Sequence, residues 1–364
     1  MSQAVERIPI ETLAAFDAIR PEWDALRRAD PYATVFLTSG WLRALLSMSP
    51  APWSILTLRS GGALVAALPV SVRGAPHARL PLAHELTFAS APFADYQGML
   101  CLPDHESAAI EAFAELLGAL RWQRADFPDV RDPRIGKLVR RLGEAGASLR
   151  ELPDAPCCAI TLPSEWSAFL ATLSKPTRRA TLRPAKQMAE ELTCPRTTFA
   201  GDADLEPHLE AVLHLNALRW GGNAARYEKY RRLLRGAHDA GCLRIAVVWD
   251  DRRPIAAGAA FVDRERGTYG SYLVGYDPAY ARFSPGKALL ASGIEDAIAG
   301  GYREFDFMRG GEGYKSSYAT HEAVNAHYTL RRRGARAALL RAIEPGYAAL
   351  RRALVRLRAQ RRAA

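Results

Sequence analysis

Residues 280–301 read YARFSPGKALLASGIEDAIAGG, and the first eight of them decide how the rest of the chain is read. Ser284 is placed to cap a helix and Pro285 fits the first helical position. Gly286 then leaves the backbone N–H groups of the first turn uncovered, with Arg282 before it and Lys287 after it. Free N–H groups at the positive end of a helix dipole favour an anion. The pattern continues through Ala299 and stops at Gly300 and Gly301, an ordinary helix end. It is not a Walker loop, because Ala281 and Ala288 stand where Gly and Ser or Thr are needed, and no GxGxxG opens here. Taken alone, these residues fit a bare surface helix equally well.

The surroundings narrow the choice. Three apolar runs precede the helix: CLRIAVVWD (242–250), PIAAGAAFVD (254–263) and TYGSYLVGYD (268–277). They read as consecutive antiparallel strands. Before them come a short strand (193–199) and helices at 204–220 and 226–240; after the helix come a strand REFDFM, a turn GGEGYKSSY and a last strand EAVNAHYTL. The order is β-α-α-β-β-β-α-β-α-β. Upstream, a helix from about 164 runs through LSKPTRRATLRPAKQMAEEL, broken near Pro176 and Pro184. The first half shows a related theme: helices at 10–29 and 39–48, a hairpin of WSILTLR and ALVAALPVSVR about Ser60, Gly61 and Gly62, an extended stretch, and a helix at 104–120. No sequence repeat links the halves. LPDAPCCAITLP (152–163) reads as the crossover.

The chain has 364 residues, 49% of them apolar and 24% charged, enough for two globular domains. Its net charge of +10 suits an acidic partner: a phosphate-bearing ligand, a nucleic acid or an anionic membrane surface. No signal-peptide pattern opens the sequence and no run of 18 apolar residues occurs, so the expectation is a cytoplasmic protein. Five cysteines without a CxxC pair agree with that. The histidines show no HExxH and no GxSxG occurs, which argues against a zinc protease, any metal site and a serine hydrolase.

The three strands, the glycine anion loop opening a helix, and the following strand together resemble the GNAT superfamily of N-acyltransferases. There the loop pattern [Q/R]-x-x-G-x-[G/A] holds the pyrophosphate of acyl-coenzyme A. The residues here are Phe283, Ser284, Pro285, Gly286, Lys287 and Ala288, with the basic residue displaced by one to Arg282. More narrowly, the chain is similar to the CelD-type, or BioF2-like, acetyltransferases of polysaccharide biosynthesis, relatives of the Fem aminoacyl transferases. The matching stretches are LSKPTRRATLR, LHLNALRW, RPIAAGAAF, YLVGYDPAYARFSPGKALL and GYREFDFMRGGEGYK, with a weaker match at ADYQGML. The resemblance implies an α+β fold of tandem GNAT-like domains, each a mixed, mostly antiparallel sheet flanked by helices. It implies a degenerate N-terminal domain at 1–155, an acyltransferase domain at 156–332, and a basic C-terminal helix at 333–364. It also implies acetyl-coenzyme A, or another acyl-coenzyme A, as co-substrate with no metal, bound through Arg282, Ser284, Gly286, Lys287 and Ala288. The acceptor it implies is an amino sugar or lipid-linked saccharide.

Transfer of an acyl group to an amine needs positioning, donors for the oxyanion and a proton for the leaving thiolate. Backbone N–H groups of 268–276 are the expected oxyanion donors, as in that superfamily. A general base adds about 10²–10⁴-fold, and Asp306 and Glu312 are the carboxylates nearest the thioester end by sequence. Asp306 reads either as that base or as a carboxylate facing solvent or capping a turn. Glu312, between glycines, reads as functional, since GGEG is a costly flexible segment otherwise. Tyr314 is the candidate proton donor to the thiolate, and Lys315 a holder of an anionic group on the acceptor; helix-start packing is the alternative for both. Asn216 stands where the resembled family commonly has histidine, and His214 points elsewhere on the helix.

Arg219 and Trp220 read as an acceptor frame, although Trp220 also extends the apolar face of Leu205, Leu209, Val212 and Leu213, which favours core packing. Asp95 and Tyr96 read as the acceptor side contributed by the first half, or as an ordinary turn. In the tail, Ala337, Leu339, Leu340, Ile343, Tyr347, Leu350, Leu354 and Leu357 form a broken apolar stripe among arginines. That stripe fits packing on the protein itself or contact with an anionic membrane, which would place the protein at its inner face. Two rivals remain. One is Fem-type transfer from charged tRNA to a cell-wall precursor, although the long helical insertion common in tRNA-using relatives is missing. The other is a non-catalytic scaffold for glycan or membrane.

Overall fold

A computed structural model describes residues 5–49, 51–74 and 84–334, together with 339, 342, 343 and 346. The chain forms two compact units. One comprises 1–33, 49–154 and 326–364; the other comprises 34–48 and 155–325. Apart from Arg333, Gly334 and four scattered positions, the expected basic helix at 333–364 lies outside the described residues. Among the described residues no helix is long and apolar enough to cross a membrane.

In the first unit, strands Val5–Ile10, Trp53–Ser60, Ala63–Arg73 and Glu85–Phe88 pair in succession, all antiparallel. Glu85–Phe88 then pairs in parallel with Arg124–Val130, which pairs antiparallel with the latter part of His321–Arg332. Helices Glu106–Ala119 and Pro133–Glu144 bury Phe113, Leu117, Ile135, Leu138 and Val139 against this sheet. The second of these helices escapes the sequence reading, although its signal is local: Asp132 caps it, accepting from Arg134 N–H at 2.9 Å, and Pro133 follows. The expected helix at 10–29 is two, Leu13–Ala18 and Arg20–Ala29, because Pro21 starts a new first turn.

In the second unit, Pro195–Phe199, Leu243–Asp250, Arg253–Asp263 and Thr268–Tyr276 pair antiparallel in turn. Thr268–Tyr276 pairs in parallel with Glu304–Arg309, which pairs antiparallel with the end of Ala147–Thr161. Helix Leu205–Trp220 packs on Arg253–Asp263 and Thr268–Tyr276, with Ala224–Asp239 and Ser39–Ser47 beside it; Pro285–Ala299 packs on the sheet together with Lys175–Glu191. A break falls before Pro176, where Ser174 caps Lys175–Glu191. The expected break at Pro184 is absent. Pro184 is buried on the same face as Thr181 and Met188, and that burial offsets the backbone bond its ring removes.

Trp220 is not in the core. It is 57% exposed, because the helix ends at Trp220 and Gly221 follows with a φ of 64°, so the last side chain projects past the sheet. The apolar stripe Leu209, Val212, Leu213 and Leu215 is buried as its spacing requires.

Candidate active site

Thr268–Tyr276 and Glu304–Arg309 are partners only at 268–270 and 304–306. Their divergence has a local cause. Asp306 Oδ1 accepts the Met308 N–H at 2.7 Å, and Met308 takes a φ of 57°, which turns the second strand away. The Met308 methyl occupies the space a side chain on Gly270 would need. Residues 271–276 are left with one edge beyond that parallel pairing. Opposite, the register with Arg253–Asp263 slips between Ala259 and Ala260, making Tyr272 the extra residue of a bulge.

Gly275 lets the helix approach this strand backbone to backbone, since a Cβ there would overlap the Leu215 carbonyl and the Asn216 nitrogen. Asn216 is 4% exposed, donates to the Val274 carbonyl at 3.2 Å and accepts from the Tyr227 hydroxyl at 3.4 Å. Its amide fastens helix to strand. His214 is exposed.

Past the strand, Asp277 caps a short turn, accepting from Ala279 N–H at 2.9 Å, and Ser284 enters the helix in the left-handed region, φ 52° and ψ 51°. The expected side-chain cap at Ser284 is absent, since that backbone turns the hydroxyl off the first N–H groups; its carbonyl accepts from Lys287 instead, at 2.9 Å. Without a side-chain cap, the Gly286 N–H is the first-turn donor left uncovered, since Pro285 has none and Lys287 is bonded to Ser284. Arg282 does not line the cavity beside this front: its guanidinium pairs with Glu191 at 2.9 Å and lies 4.1 Å from the Phe283 ring centroid. Lys287 is exposed and Ala288 buried.

A cavity of about 290 Å³ begins at Ser284, Pro285, Gly286 and Lys287 and passes beneath the helix, along Ser271, Val274 and Tyr276. Arg219 and Tyr314 also line it. Arg219 places its guanidinium over the rings of Trp220, at 4.7 Å, and Tyr276, at 5.8 Å. Burial and the neighbouring Glu312 carboxylate push the Tyr314 phenol above its ordinary pKa, against the opposing charge of Arg219. Burial alone would raise the pKa of Glu312. Its bond to Lys315, its own backbone N–H and the charges of Lys315 and Arg219 outweigh burial and hold the carboxyl below the usual range. The group is therefore charged at neutral pH and keeps its charge to lower pH than an ordinary glutamate.

Lys315 is 4% exposed. Its ammonium lies 2.8 Å from Glu312 Oε2 and donates to the carbonyls of Arg309 and Gly310, each at 3.3 Å. Gly310 permits this, with a φ of 140° and no side chain where Glu312 and Lys315 meet. Arg219 and Tyr314 thus line the cavity with Ser284, Gly286 and Lys287, whereas Glu312 and Lys315 do not line it: Glu312 acts on Tyr314 and Arg219 through its charge, and Lys315 is paired with Glu312. Asp306 is 7% exposed and does not line the cavity. Asp95 and Tyr96 lie in the first unit, 8% and 5% exposed, with Arg131 over the Tyr96 ring at 4.7 Å. Among the described residues no cluster of His, Cys, Asp and Glu has metal-binding geometry.

Residues 176–316 match the family model of the acetyltransferase (GNAT) domain, and that span contains the splayed strands, the helix and the cavity. The fold is tandem GNAT-like. A tandem GNAT protein from the clavulanic acid biosynthesis pathway superposes with a TM-score of 0.53 at 12% identity, over 91% of this chain and all of that one. FemX superposes with a TM-score of 0.64 at 10% identity, over 93% of this chain and all of its own. L-PGS from Bacillus licheniformis gives 0.53 at 11% identity, over 92% and 96%. At these identities the likeness is one of fold. No curated protein matches the sequence. The matched residues have a GNAT-type fold.

Proposed function

We propose that the second unit transfers an acyl group from acyl-coenzyme A to the amine of an amino sugar or related polysaccharide precursor. One observation carries this reading: the cavity joins a bare helix N-terminus at Gly286 to the diverging edge at 271–276. Gly286 fits a ligand's needs better than the protein's. A Cβ there meets only Tyr276, at 3.7 Å, an ordinary contact, so the protein itself does not exclude a larger residue.

Acyl-coenzyme A supplies a thioester: the amine nitrogen bonds to its carbonyl carbon, the C–S bond breaks, and the amine's proton ends on the sulfur, giving an amide and a free thiol. The chain's residues do the rest. The Gly286 N–H at the positive end of the helix and the Lys287 ammonium hold phosphate charge. Backbone N–H groups along 271–276 offer donors to the carbonyl oxygen without reorganising. Tyr314, kept protonated, gives its proton to the departing sulfur and takes the one released by the amine nitrogen, so the phenol is restored. Glu312 accepts a hydrogen bond from the incoming amine while Lys315 fixes the carboxylate. Asp306 is a positioning residue that holds the strands apart through Met308. Trp220 presents its exposed ring for a sugar to stack on, with Arg219 beside it.

Calorimetry with acetyl-coenzyme A, the simplest donor, tests the reading. Binding by the folded protein is expected, and its absence overturns the assignment. Given binding, Tyr314→Phe lowers kcat about 10²-fold with little change in KM, because the lost proton donor acts in the transition state. An unchanged kcat removes Tyr314 from the chemistry. A second reading, transfer from charged tRNA, draws support from the likeness to FemX and the net charge of +10. It requires a complex with charged tRNA that weakens steeply with salt.

A further inference from the structure

The cavity does not stop where a thioester would lie. On the helix it follows one face through Gly286, Leu289, Leu290 and Gly293, two turns or about 10 Å. On the sheet it crosses the row Ala246, Gly258 and Val274, which are direct partners, then the pair Ala260 and Ser271, then Tyr269 and Phe305, partners at the closed end of the splay. From Tyr276 back to Ser271 the strand spans about 16 Å. A ligand whose phosphates lie at Gly286 spends that length on its extended arm. The space walled by Ala260, Tyr269, Leu290, Gly293 and Phe305 lies beyond it.

That far end is apolar and kept open by small residues. Gly293 stands in the middle of helix Pro285–Ala299, where glycine is the poorest helix former except proline. Its backbone needs no left-handed conformation, and a Cβ there would meet Phe305 at 3.7 Å, an ordinary contact. Neither conformation nor packing requires glycine; what its absent side chain preserves is cavity. Ala260 does the same from the sheet. Tyr269 is 3% exposed and stacks on Phe305 with ring centroids 5.4 Å apart. Two aromatic rings thus close the slot.

We infer that the group transferred is an aliphatic acyl chain several carbons longer than acetyl, seated between Gly293, Ala260 and the Tyr269–Phe305 pair. The inference rests on the acyl-coenzyme A reading above.

The test is calorimetry of the full-length protein with free coenzyme A and its acetyl, butyryl, hexanoyl and decanoyl thioesters. Affinity is expected to rise up to about fourfold for each methylene from acetyl to hexanoyl, then to level off or fall where the aromatic wall ends the slot. Gly293→Leu is expected to flatten that rise. Gly293→Ala, whose Cβ fits without displacing Phe305, guards against misfolding and is expected to cut the hexanoyl advantage at least threefold. Coenzyme A and acetyl-coenzyme A binding with no gain for longer chains overturns this inference and leaves the donor reading standing. A gradient untouched in both variants overturns the placement at Gly293. Binding of none of these ligands overturns both readings.

Discussion

Gly286→Glu is expected to weaken coenzyme A binding by more than a hundredfold. The position lies in the first turn of Pro285–Ala299, at the head of the cavity. A carboxylate there meets ligand phosphate at a few ångströms, and like charges about 4 Å apart at a protein surface repel by roughly 4 kcal/mol. The same side chain covers N–H groups that otherwise face the anion. Gly286→Ala separates bulk from charge. Its Cβ touches only Tyr276, so the fold tolerates it, and any loss of affinity reports ligand clearance alone. Calorimetry on the three proteins, each checked for an unchanged thermal transition, reads both effects. Equal affinity in wild type and Gly286→Glu would remove the anion from the helix front and with it the orientation of the donor.

The largest loss of stability is expected in the first unit, from Arg134→Met. Arg134 is 1% exposed, and its guanidinium bonds Asp132 Oδ1 at 2.9 Å, Asp132 Oδ2 at 2.8 Å, Asp30 Oδ2 at 2.9 Å and the carbonyls of Met99 and Cys101. Burial pulls its pKa down, and the bonds and charges of Asp132 and Asp30 more than restore it, so the group is charged at any accessible pH. Asp30 closes helix Arg20–Ala29 and also accepts the Cys101 N–H at 2.7 Å, so the cluster ties helix Arg20–Ala29, strand Leu100–Cys101 and the start of helix Pro133–Glu144 together. Methionine fills much of the volume but leaves two buried carboxylates without their counter-charge. Breaking a buried pair from one side costs about 3–5 kcal/mol. Urea unfolding should show the loss as a lower midpoint at unchanged slope. A loss under 1 kcal/mol would show that water or neighbouring groups replace the guanidinium.

Much of the second unit was legible because its signals are local. Alternating apolar residues, the stop at Gly300 and Gly301 and the proline at the first turn of 285–299 each act within a few residues of their own position. The anion loop was legible for the same reason: a helix front without covering side chains is a property of Ser284, Pro285 and Gly286 in sequence. Two readings failed, one for a local reason and one for a tertiary one. Ser284 adopts a left-handed backbone that no reading of residue type could distinguish from a cap, and Pro184 survives inside a helix because of what it packs against.

The candidate site divides along the same line. From the residues themselves came the order of strands and helices, the bare front of the helix that opens at Pro285, and the choice of Glu312, Tyr314 and Lys315 as candidates; that Lys315 pairs with Glu312 came from the structure. Periodicity, capping and short-range charge suffice for those. Tertiary structure alone decided the rest. The splay depends on Asp306 holding Met308 against Gly270, the exposure of Trp220 on where a helix runs off its sheet, and the slot on which small residues of three strands fall beneath Gly293. Each of these is a matter of register between segments tens of residues apart. A sequence pattern carries the period of an element but not its alignment with a distant one, because that alignment is chosen by the packing free energy of the assembled core.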